Sequence, residues 1–269
     1  MEKHPKRKVR EVICSKIQDK CFNVIDQEAS ENTFVRMVQS EASPRVFLTQ
    51  VYFKKIGDKE VIDKTIVQPS YFKGMIQMAF EFGTFGSLED FGKGHVLQIG
   101  LGGGGINILF EDRFPQTKLT SVDMDSTMKY IAKEWFLVKE DDKQKIIIED
   151  GIKFIKNNNQ KFDLIMVDIC YNEQSSLICP IAPFLDPSVI KAVSDSLTSS
   201  GTLSVNFLYA GKLTMENQEN FEMDGNHILG CTHNNIPRIT PDYLKYRRNK
   251  IDKEVRKIIG GDFKLNLQR

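Results

Sequence analysis

Five glycines in six consecutive positions carry the clearest chemical signal in the sequence. Residues 100–105 read G-L-G-G-G-G and satisfy the pattern G-x-G-x-x-G. An apolar run precedes them and a segment of helical periodicity follows, so the sequence predicts a strand, a tight turn and a helix. Glycine suits such a turn because side chains would keep a ligand away from the backbone, and the N–H groups at the helix start carry partial positive charge. The turn is therefore a candidate ligand-binding site.

Three aspartates follow three successive predicted strands, at the edge of the sheet where such folds bind ligands. Asp123 stands 23 residues after Gly100 and can accept hydrogen bonds from a pair of ribose hydroxyls. Asp150, next to the flexible backbone of Gly151, can accept a hydrogen bond from an adenine amino group, and Asp168 completes the set. With the glycine turn these acids predict a site for an adenosine-containing ligand. Taken singly, Asp123 and Asp150 can also serve only as helix caps.

Alternating strands and helices must position these residues. From residue 69 onwards the chain shows helical periodicity and strand-like apolar runs in turn. Predicted helices cover residues 69–82, 104–113, 126–136, 151–157, 186–199 and 240–259, and predicted strands cover residues 96–100, 118–123, 145–149, 162–167, 202–207 and 227–231. Their alternation predicts an α/β fold with a doubly wound, mostly parallel, Rossmann-like sheet covered on both faces.

The N-terminal quarter of the chain has a different pattern. Short β-rich runs between residues 21 and 56, broken by polar segments, predict a small antiparallel β-meander. We therefore expect two parts: residues 1–68 form a basic arm and the N-terminal β-meander, and residues 69–269 form the Rossmann-like core. Within the core, the long connection 169–185 is rich in apolar residues, and we expect it to act as a functional lid.

Composition limits the classes of partner. The 37 basic and 36 acidic residues nearly cancel, which gives no indication of a nucleic-acid or membrane partner. No apolar run approaches the roughly 20 residues that a membrane helix needs, so we expect a cytoplasmic protein. Five scattered cysteines without a C-x-x-C pair indicate reduced thiols, and four histidines without metal-ligand spacing predict no metal site.

Four motifs in this order and spacing resemble a known family: V-L-Q-I-G-L-G-G-G-G, S-V-D-M-D, I-I-E-D-G-I-K-F-I and F-D-L-I-M-V-D. They are similar to class I S-adenosylmethionine-dependent methyltransferases of the spermidine synthase-like superfamily, particularly to the C-terminal domain of the methyltransferase-like protein 13 group. The resemblance implies S-adenosylmethionine as the cofactor. It further implies that the methionine part lies over Gly100, Gly102 and Gly104, the ribose on Asp123, the adenine between Asp150 and Gly151, and the acceptor against the catalytic residue Asp168.

The resemblance also bears on substrate and partners. The methyltransferase-like 13 group methylates elongation factor 1A, and its C-terminal domain acts on the N-terminal amine. The implied reaction is therefore methyl transfer to an amine, with a protein such as elongation factor 1A as substrate. The similarity to spermidine synthases further implies that the meander can form a homodimer interface.

Two departures from the spermidine synthase pattern bear on the reaction. Spermidine synthases carry an acid within the glycine turn, where this chain has Gly103, and a second acid where it has Tyr171. Those acids recognise and deprotonate a polyamine, so their absence argues against aminopropyl transfer. Methyl transfer is the leading hypothesis. A spermidine synthase-like aminopropyltransferase, an NAD-dependent oxidoreductase and a catalytically inactive donor-binding module stay open as alternatives.

Overall fold

The structure is a computed structural model, and it describes residues 7–42, 47–68, 71–171, 177–209, 226–234, 240–251, 255, 257 and 258. Within these residues the first sheet is antiparallel and follows chain order. Its five strands are β1 (Arg7–Cys14), β2 (Cys21–Ser30), β3 (Thr33–Ser40), β4 (Phe47–Ile56) and β5 (Lys59–Gln68). Asn32 and Gly57 take left-handed backbone in two of the hairpin turns, with φ of 57° and 61°, which these residue types tolerate. This sheet is the predicted β-meander.

Strand β1 differs from the basic arm that the sequence suggests. Its residues pair antiparallel with β2, for example Val9 with Ile25. Arg10 forms an ion pair with Asp26 at 3.2 Å, so this basic side chain contributes to the sheet. The basic residues of this segment predict a solvated arm, because nothing in the sequence next to it indicates that it pairs with β2. Residues 1–6 of the expected arm lie outside the described residues.

The second sheet carries the predicted alternation of strands and helices. In the described part of the chain its elements are α1 (Tyr71–Glu81), α2 (Leu88–Lys93), β6 (His95–Ile99), α3 (Gly105–Arg113), β7 (Lys118–Asp123), α4 (Ser126–Glu134), β8 (Gln144–Ile148), α5 (Gly151–Asn157), β9 (Phe162–Val167), β10 (Leu177–Cys179), a 3₁₀ turn (Ala182–Leu185), α6 (Pro187–Ser196), β11 (Leu197–Tyr209), β12 (His227–Thr232) and α7 (Pro241–Lys250). The strand order is β10-β11-β9-β6-β7-β8, with β12 also paired to β11.

Strands β8, β7, β6, β9 and β11 run parallel, whereas β10 and β12 pair antiparallel with β11. From β6 the chain builds outwards in one direction through β7 and β8, and in the other through β9 and β11. The topological switch point therefore lies between β6 and β9, which is where open α/β sheets form a ligand crevice at their carboxyl edge. The predicted fold class, a doubly wound parallel sheet preceded by an antiparallel meander, is confirmed.

Several element bounds differ from the expected ones. Helix α6 ends at Ser196 rather than 199, and β11 starts at Leu197 rather than at 202. Between Leu197 and Thr202 the register of β11 against β9 shifts, so the intervening polar residues form a bulge. Gly201, which we expect to stop the helix, lies inside this irregular part of the strand. Helix α7 ends at Lys250, and part of the predicted extension to 259 lies outside the described residues.

One apolar core joins the two sheets. It contains Val51 and Phe53 of the meander together with Phe72 of α1, Ile106 of α3 and Ile131 of α4, all of them buried. A second cluster on the opposite face of the parallel sheet includes Leu97, Ile99 and Val167 of the central strands. Because the first cluster spans both sheets, the meander is packed directly behind the glycine turn.

Four of the five cysteines are paired, contrary to the reduced thiols that their spacing suggests. Disulfides join Cys14 to Cys21 and Cys170 to Cys179, with Cα–Cα distances of 3.9 and 4.4 Å. Cys14 and Cys21 face each other across the β1–β2 hairpin, a pairing that sequence spacing does not reveal. Cys231 is the free cysteine among the described residues. Across the described helices, none combines the length and apolarity needed to cross a bilayer.

Candidate active site

The ends of β6 and β9 meet at the switch point and bring two predicted site residues together. Gly100 directly follows β6 and Asp168 directly follows β9, and the Asp168 N–H donates to the Ile99 carbonyl at 2.8 Å. Gly100 has a φ of 98°, and a Cβ on it would lie 2.2 Å from the Asp168 carbonyl oxygen. A side chain at position 100 would therefore separate the two strand ends, which explains the glycine.

The rest of the turn leads into α3. Gly102 and Gly104 both have positive φ, and Gly104 is the left-handed residue immediately before the helix. A Cβ on Gly104 would lie 2.6 Å from Val138 Cγ2, so the turn is packed against the segment that follows α4. The predicted sequence of strand, tight turn and helix is present.

Acceptors within the protein bind the N–H groups of this turn. The Leu101 N–H donates to Asp123 Oδ2 at 2.8 Å, and the Gly103 N–H donates to Thr49 Oγ1 at 2.9 Å. The Gly104 N–H donates to the Leu101 carbonyl at 2.9 Å. These bonds fix the turn without a ligand. The turn is thus preorganised, and the positive charge expected from these N–H groups is largely compensated inside the chain.

A buried polar network also holds the turn from the helix side of the sheet. Gln98 Nε2 donates to the Gly100 carbonyl at 2.6 Å, and Ser121 Oγ donates to Gln98 Oε1 at 3.1 Å. Asn107 Nδ2 of α3 donates to Ser121 Oγ and to Gln144 Oε1, both at 3.1 Å. The network links β6, β7, β8 and α3, so the central strands and the first helix fix the turn together.

Asp123 lies at the end of β7, half-buried beside the turn. Besides the Leu101 bond, its Oδ1 accepts a hydrogen bond from the Asp125 N–H at 2.9 Å. Burial raises the pKa of Asp123, and the backbone hydrogen bonds oppose that rise. The Gly102 N–H also bonds this carboxylate, so three backbone N–H groups bind it, and about one of its roughly four lone-pair directions stays open to a hydroxyl group.

Asp150 caps α5, the structural alternative that the sequence left open. Its Oδ1 accepts from the N–H groups of Ile152 at 2.7 Å and Lys153 at 3.0 Å. The side chain is exposed, and Oδ2 takes no part in these two bonds. Gly151 is buried, and a Cβ on it would lie 2.4 Å from Ile99 Cγ2. The segment that follows β8 therefore lies close to the end of β6, as the expected ligand crevice requires.

Asp168 is half-buried, and two polar side chains that the sequence analysis missed bind it. The Tyr71 hydroxyl lies 3.1 and 3.0 Å from its two oxygens, and Asn206 Nδ2 donates to Oδ1 at 2.7 Å. Asn206 Oδ1 in turn accepts from Asn226 Nδ2 at 2.8 Å. Burial raises the pKa of Asp168 to about 6, although the bonds from Asn206 and Tyr71 lower it. The carboxylate is therefore mostly ionised at neutral pH.

A signal for one of the missed residues existed in the sequence. Asn206 stands near the carboxyl end of β11, where the same rule that selected the three aspartates applies. Tyr71 lies at the first position of α1, and nothing local indicates that this helix starts beside β9.

The connection predicted as a lid begins beside Asp168 and is partly ordered by β11. Strand β10 pairs antiparallel with β11, and the Tyr171 N–H donates to the Ile178 carbonyl at 2.8 Å. The Tyr171 hydroxyl accepts from the Ala182 N–H at 3.3 Å. Residues 172–176 lie outside the described residues, and the movement of a lid stays a prediction.

An antiparallel meander packed on a doubly wound parallel sheet, with a glycine turn and acids at the switch point, defines the fold that class I methyltransferases share with spermidine synthases. The model of the family described as "Spermine/spermidine synthase domain" matches residues 83–239, more than half of the chain. The chain belongs to this family.

Relatives of two kinds match the sequence. The eEF1A lysine and N-terminal methyltransferase of Xenopus laevis is 25% identical over 254 residues, which cover 82% of this chain and 36% of the relative. The polyamine aminopropyltransferase of Neisseria meningitidis is 32% identical over 114 residues, which cover 42% of this chain and 41% of the relative. The matched segments thus cover 36% of the length of the Xenopus relative and 41% of the length of the Neisseria relative.

Solved structures show the same fold. Human methyltransferase-like protein 13, solved in complex with SAH, matches with a TM-score of 0.57 and 22% identity, over 70% of this chain and 93% of the human one. A probable spermidine synthase from Corynebacterium glutamicum matches with a TM-score of 0.62 and 14% identity, over 97% of this chain and 99% of that one. Both comparisons support the two-sheet architecture.

Proposed function

We propose that the protein is an S-adenosylmethionine-dependent methyltransferase that acts on an amine of a protein. The observation that carries the proposal is the placement of Asp168: an ionised, half-buried carboxylate at the switch point, bonded by Tyr71 and Asn206 and adjoining the glycine turn. The name of the Xenopus relative, a methyltransferase that acts on lysine and on an N-terminus of eEF1A, supports the reaction and the substrate class.

The residues of the site fit this donor. Gly102 and Gly104 leave the turn without side chains, Asp123 lies beside the turn with a lone pair open to a ribose hydroxyl, and Asp150 Oδ2 is outside the helix cap. When bound, S-adenosylmethionine supplies a methyl group that its positive sulfur has already activated. The protein then has to align the acceptor and exclude water, which needs little acid–base machinery.

Asp168 can attract and deprotonate the acceptor. An ammonium group forms a charge-assisted hydrogen bond with a carboxylate, and it must lose a proton before its nitrogen can attack. Moving that proton from an N-terminal amine, with a reference pKa of about 7.7–8.0, to a carboxyl of pKa about 6 costs about 2–3 kcal/mol. For a lysine amine, with a reference pKa of about 10.4, the same transfer costs about 6 kcal/mol. The smaller cost of the proton transfer therefore favours an N-terminal amine over a lysine amine as the acceptor.

Tyr71 and Asn206 hold Asp168 in place for this step. Both donate to the carboxylate, so they stabilise the ionised form and fix the plane of its two oxygens. Tyr71 belongs to α1 and Asn206 belongs to β11, so two separate elements fix the orientation of the Asp168 carboxylate.

Aminopropyl transfer to a polyamine is the second candidate, and the Neisseria relative favours it. The local chemistry opposes it. Where spermidine synthases place an acid in the turn, Gly103 packs against Thr49, and where they place the second acid, the Tyr171 hydroxyl accepts an N–H bond from Ala182. These positions offer no carboxylate to a polyamine.

Isothermal calorimetry and a radiolabel assay test the proposal together. We expect the wild-type protein to bind S-adenosylmethionine and to transfer tritiated methyl groups to an elongation factor 1A peptide with a free N-terminus, but not to its N-acetylated form. Asp123→Ala should weaken donor binding at least about tenfold, whereas Asp168→Asn should retain donor binding and lose about 10²–10⁴-fold in kcat. Asp142→Ala, an exposed aspartate in a loop, is the matched control.

Three results would change the assignment. Unchanged donor affinity in Asp123→Ala would contradict the role of that residue. Product formed only from decarboxylated donor and putrescine would establish the polyamine reaction instead. Donor binding without a labelled product from a whole-cell lysate would identify a non-catalytic binding module.

A further inference from the structure

The N-terminal sheet reaches the glycine turn through one buried side chain. Thr49 of β4 is 1% exposed, and its hydroxyl oxygen accepts the Gly103 N–H at 2.9 Å. The same hydroxyl donates to the Leu48 carbonyl at 2.8 Å. With its proton directed to Leu48, the oxygen presents its lone pairs to the turn, so the roles of donor and acceptor are fixed.

Thr49 also occupies the space that a side chain at position 103 would need. A Cβ on Gly103 would lie 2.8 Å from Thr49 Cβ and 3.2 Å from Phe136 Cε2. Gly103 is absent from the described glycines with positive φ, unlike Gly102 and Gly104 on either side of it. Its backbone conformation would therefore accept other residues, and it is the packing of Thr49 that requires glycine at this position.

The turn is thus held from both sides. Asp123 of β7 binds the Leu101 N–H and Thr49 of β4 binds the Gly103 N–H, so the two bonds lie on alternate residues. Loss of the Thr49 hydroxyl would leave a buried N–H without an acceptor, which is costly enough to shift the local backbone. Any such shift moves Gly102, which lies between the two bonds and is partly exposed.

We infer that Thr49 is a positioning residue for the donor, acting through the turn, and that it makes the N-terminal sheet part of the donor site. The inference rests on the proposed function in one respect only, namely that the turn binds S-adenosylmethionine. The bond from Thr49 to Gly103 and its effect on the turn can be measured without any donor.

Two substitutions at position 49 separate the hydroxyl from the side-chain shape. Thr49→Val keeps the shape and removes the acceptor, whereas Thr49→Ser keeps the hydroxyl. Thr117→Val is the matched control, because Thr117 is also 1% exposed and its hydroxyl donates to the Phe91 carbonyl at 2.9 Å. Thermal unfolding by circular dichroism identifies which variants fold and how far each is destabilised.

Hydrogen exchange of the donor-free protein is the first measurement. We expect amide exchange in peptides that contain residue 103 to rise about tenfold in Thr49→Val and to stay at the wild-type rate in Thr49→Ser and Thr117→Val. Unchanged exchange in folded Thr49→Val would overturn the inference whatever the donor does.

Calorimetry and steady-state kinetics with S-adenosylmethionine form the second measurement. Thr49→Val should raise the donor Kd and donor KM about tenfold, with acceptor KM and kcat within about twofold of wild type, and Thr49→Ser should restore donor binding. Equal losses in donor and acceptor constants, or the same losses in Thr117→Val, would show a merely structural role and overturn the inference. If the wild-type protein binds no donor, the proposed function and the donor role of Thr49 both fail, while the exchange result still tests the bond.

A pair of variants tests the packing even if Thr49→Val does not fold. Gly103→Ala should weaken donor binding, and the combination of Thr49→Gly with Gly103→Ala should lose less than the sum of the two single losses, because removal of the Thr49 Cβ makes room for the new methyl group. Strictly additive effects would contradict the claim that Thr49 requires glycine at position 103.

Discussion

The charge of Asp168 opposes folding while it serves the proposed reaction. Burial favours the neutral acid and raises its pKa to about 6 from an ordinary value of 3.8. Between these two values the folded protein binds more protons than the unfolded chain. The contribution of Asp168 to stability is therefore complete below about pH 4 and is lost as the pH rises through 6.

Replacement of Asp168 by Asn should make this cost visible. Relative to the variant, the wild-type free energy of unfolding should fall by about 2 kcal/mol between pH 4 and pH 7, since each pKa unit corresponds to about 1.36 kcal/mol and the unfolded carboxyl is already partly ionised at pH 4. Urea denaturation of both proteins at intervals of one pH unit measures the difference. A difference independent of pH would show that the carboxylate is not stabilised in its neutral form by the fold.

Some of the site residues could be predicted from the sequence, and others could not. Asp123, Asp150 and Asp168 were predictable as neighbours because the carboxyl ends of parallel strands gather at one edge of a sheet. Tyr71 and Thr49 were not, because their contacts join positions 97 and 54 residues apart through the packing of other elements. The ligand roles of the aspartates stay predictions, and Asp150 in addition serves as a cap.

At the scale of elements, the unexpected feature is the Cys170–Cys179 disulfide in the connection that follows β9. Cys170 lies two residues after Asp168, and Asn206 Nδ2 lies 3.8 Å from its sulfur while bonding the Asp168 carboxylate. Closure of the loop from Cys170 to Cys179 restrains the residues that lead away from the carboxylate. The loop should therefore affect binding of the acceptor more than binding of the donor.

The two disulfides form a matched pair for testing this effect. Replacing both cysteines of either bridge by serine should lower the free energy of unfolding by about 2–3 kcal/mol, because the loops are of similar length. Only the variant at positions 170 and 179 should raise the acceptor KM. Unfolding in urea without reductant and initial rates at saturating donor provide the two readouts, and equal kinetics in both variants would contradict a role for the loop.

The local sequence pattern was enough to predict the bounds of elements that have their own caps or apolar periodicity. Strands 118–123 and 162–167 and helix 151–157 have the predicted bounds, since apolar runs or a capping aspartate mark their ends. Strands β1 and β10 owe their existence to pairing with β2 and β11, and their sequences alone indicate neither. The pairing of Cys14 with Cys21 was not predictable for the same reason, because the β1–β2 hairpin brings the two cysteines together.

At the scale of the molecule, Arg36 joins the two sheets. Its guanidinium forms ion pairs with Asp26 at 2.8 Å and Glu60 at 2.8 Å within the meander. It also donates to the Trp135 carbonyl at 3.1 Å and lies 5.0 Å from the centre of that indole ring. Trp135 follows α4 directly, so a fully buried cation of the meander contacts the core.

We expect the protein to unfold in one step. Trp135 is the single tryptophan of the chain and reports on the junction, whereas far-ultraviolet circular dichroism reports on both sheets. The two signals should give the same midpoint in urea. Arg36→Met should shift both midpoints equally, with a loss of about 3–5 kcal/mol, because it removes the guanidinium that binds both oxygens of buried Asp26 and leaves that carboxylate with the partly exposed Arg10. Separate transitions for the two signals would show that the sheets fold independently.

The junction also constrains how such a protein can evolve. A meander transplanted from another family member would have to present a small residue with an acceptor oxygen to position 103 and a cation to the carbonyl of residue 135. Mutations on one side of the junction would otherwise leave a buried polar group unpaired on the other. Recombination within the family should therefore preserve the meander and the core as one inherited block, although in the described residues a single connection, from β5 to α1, links the two.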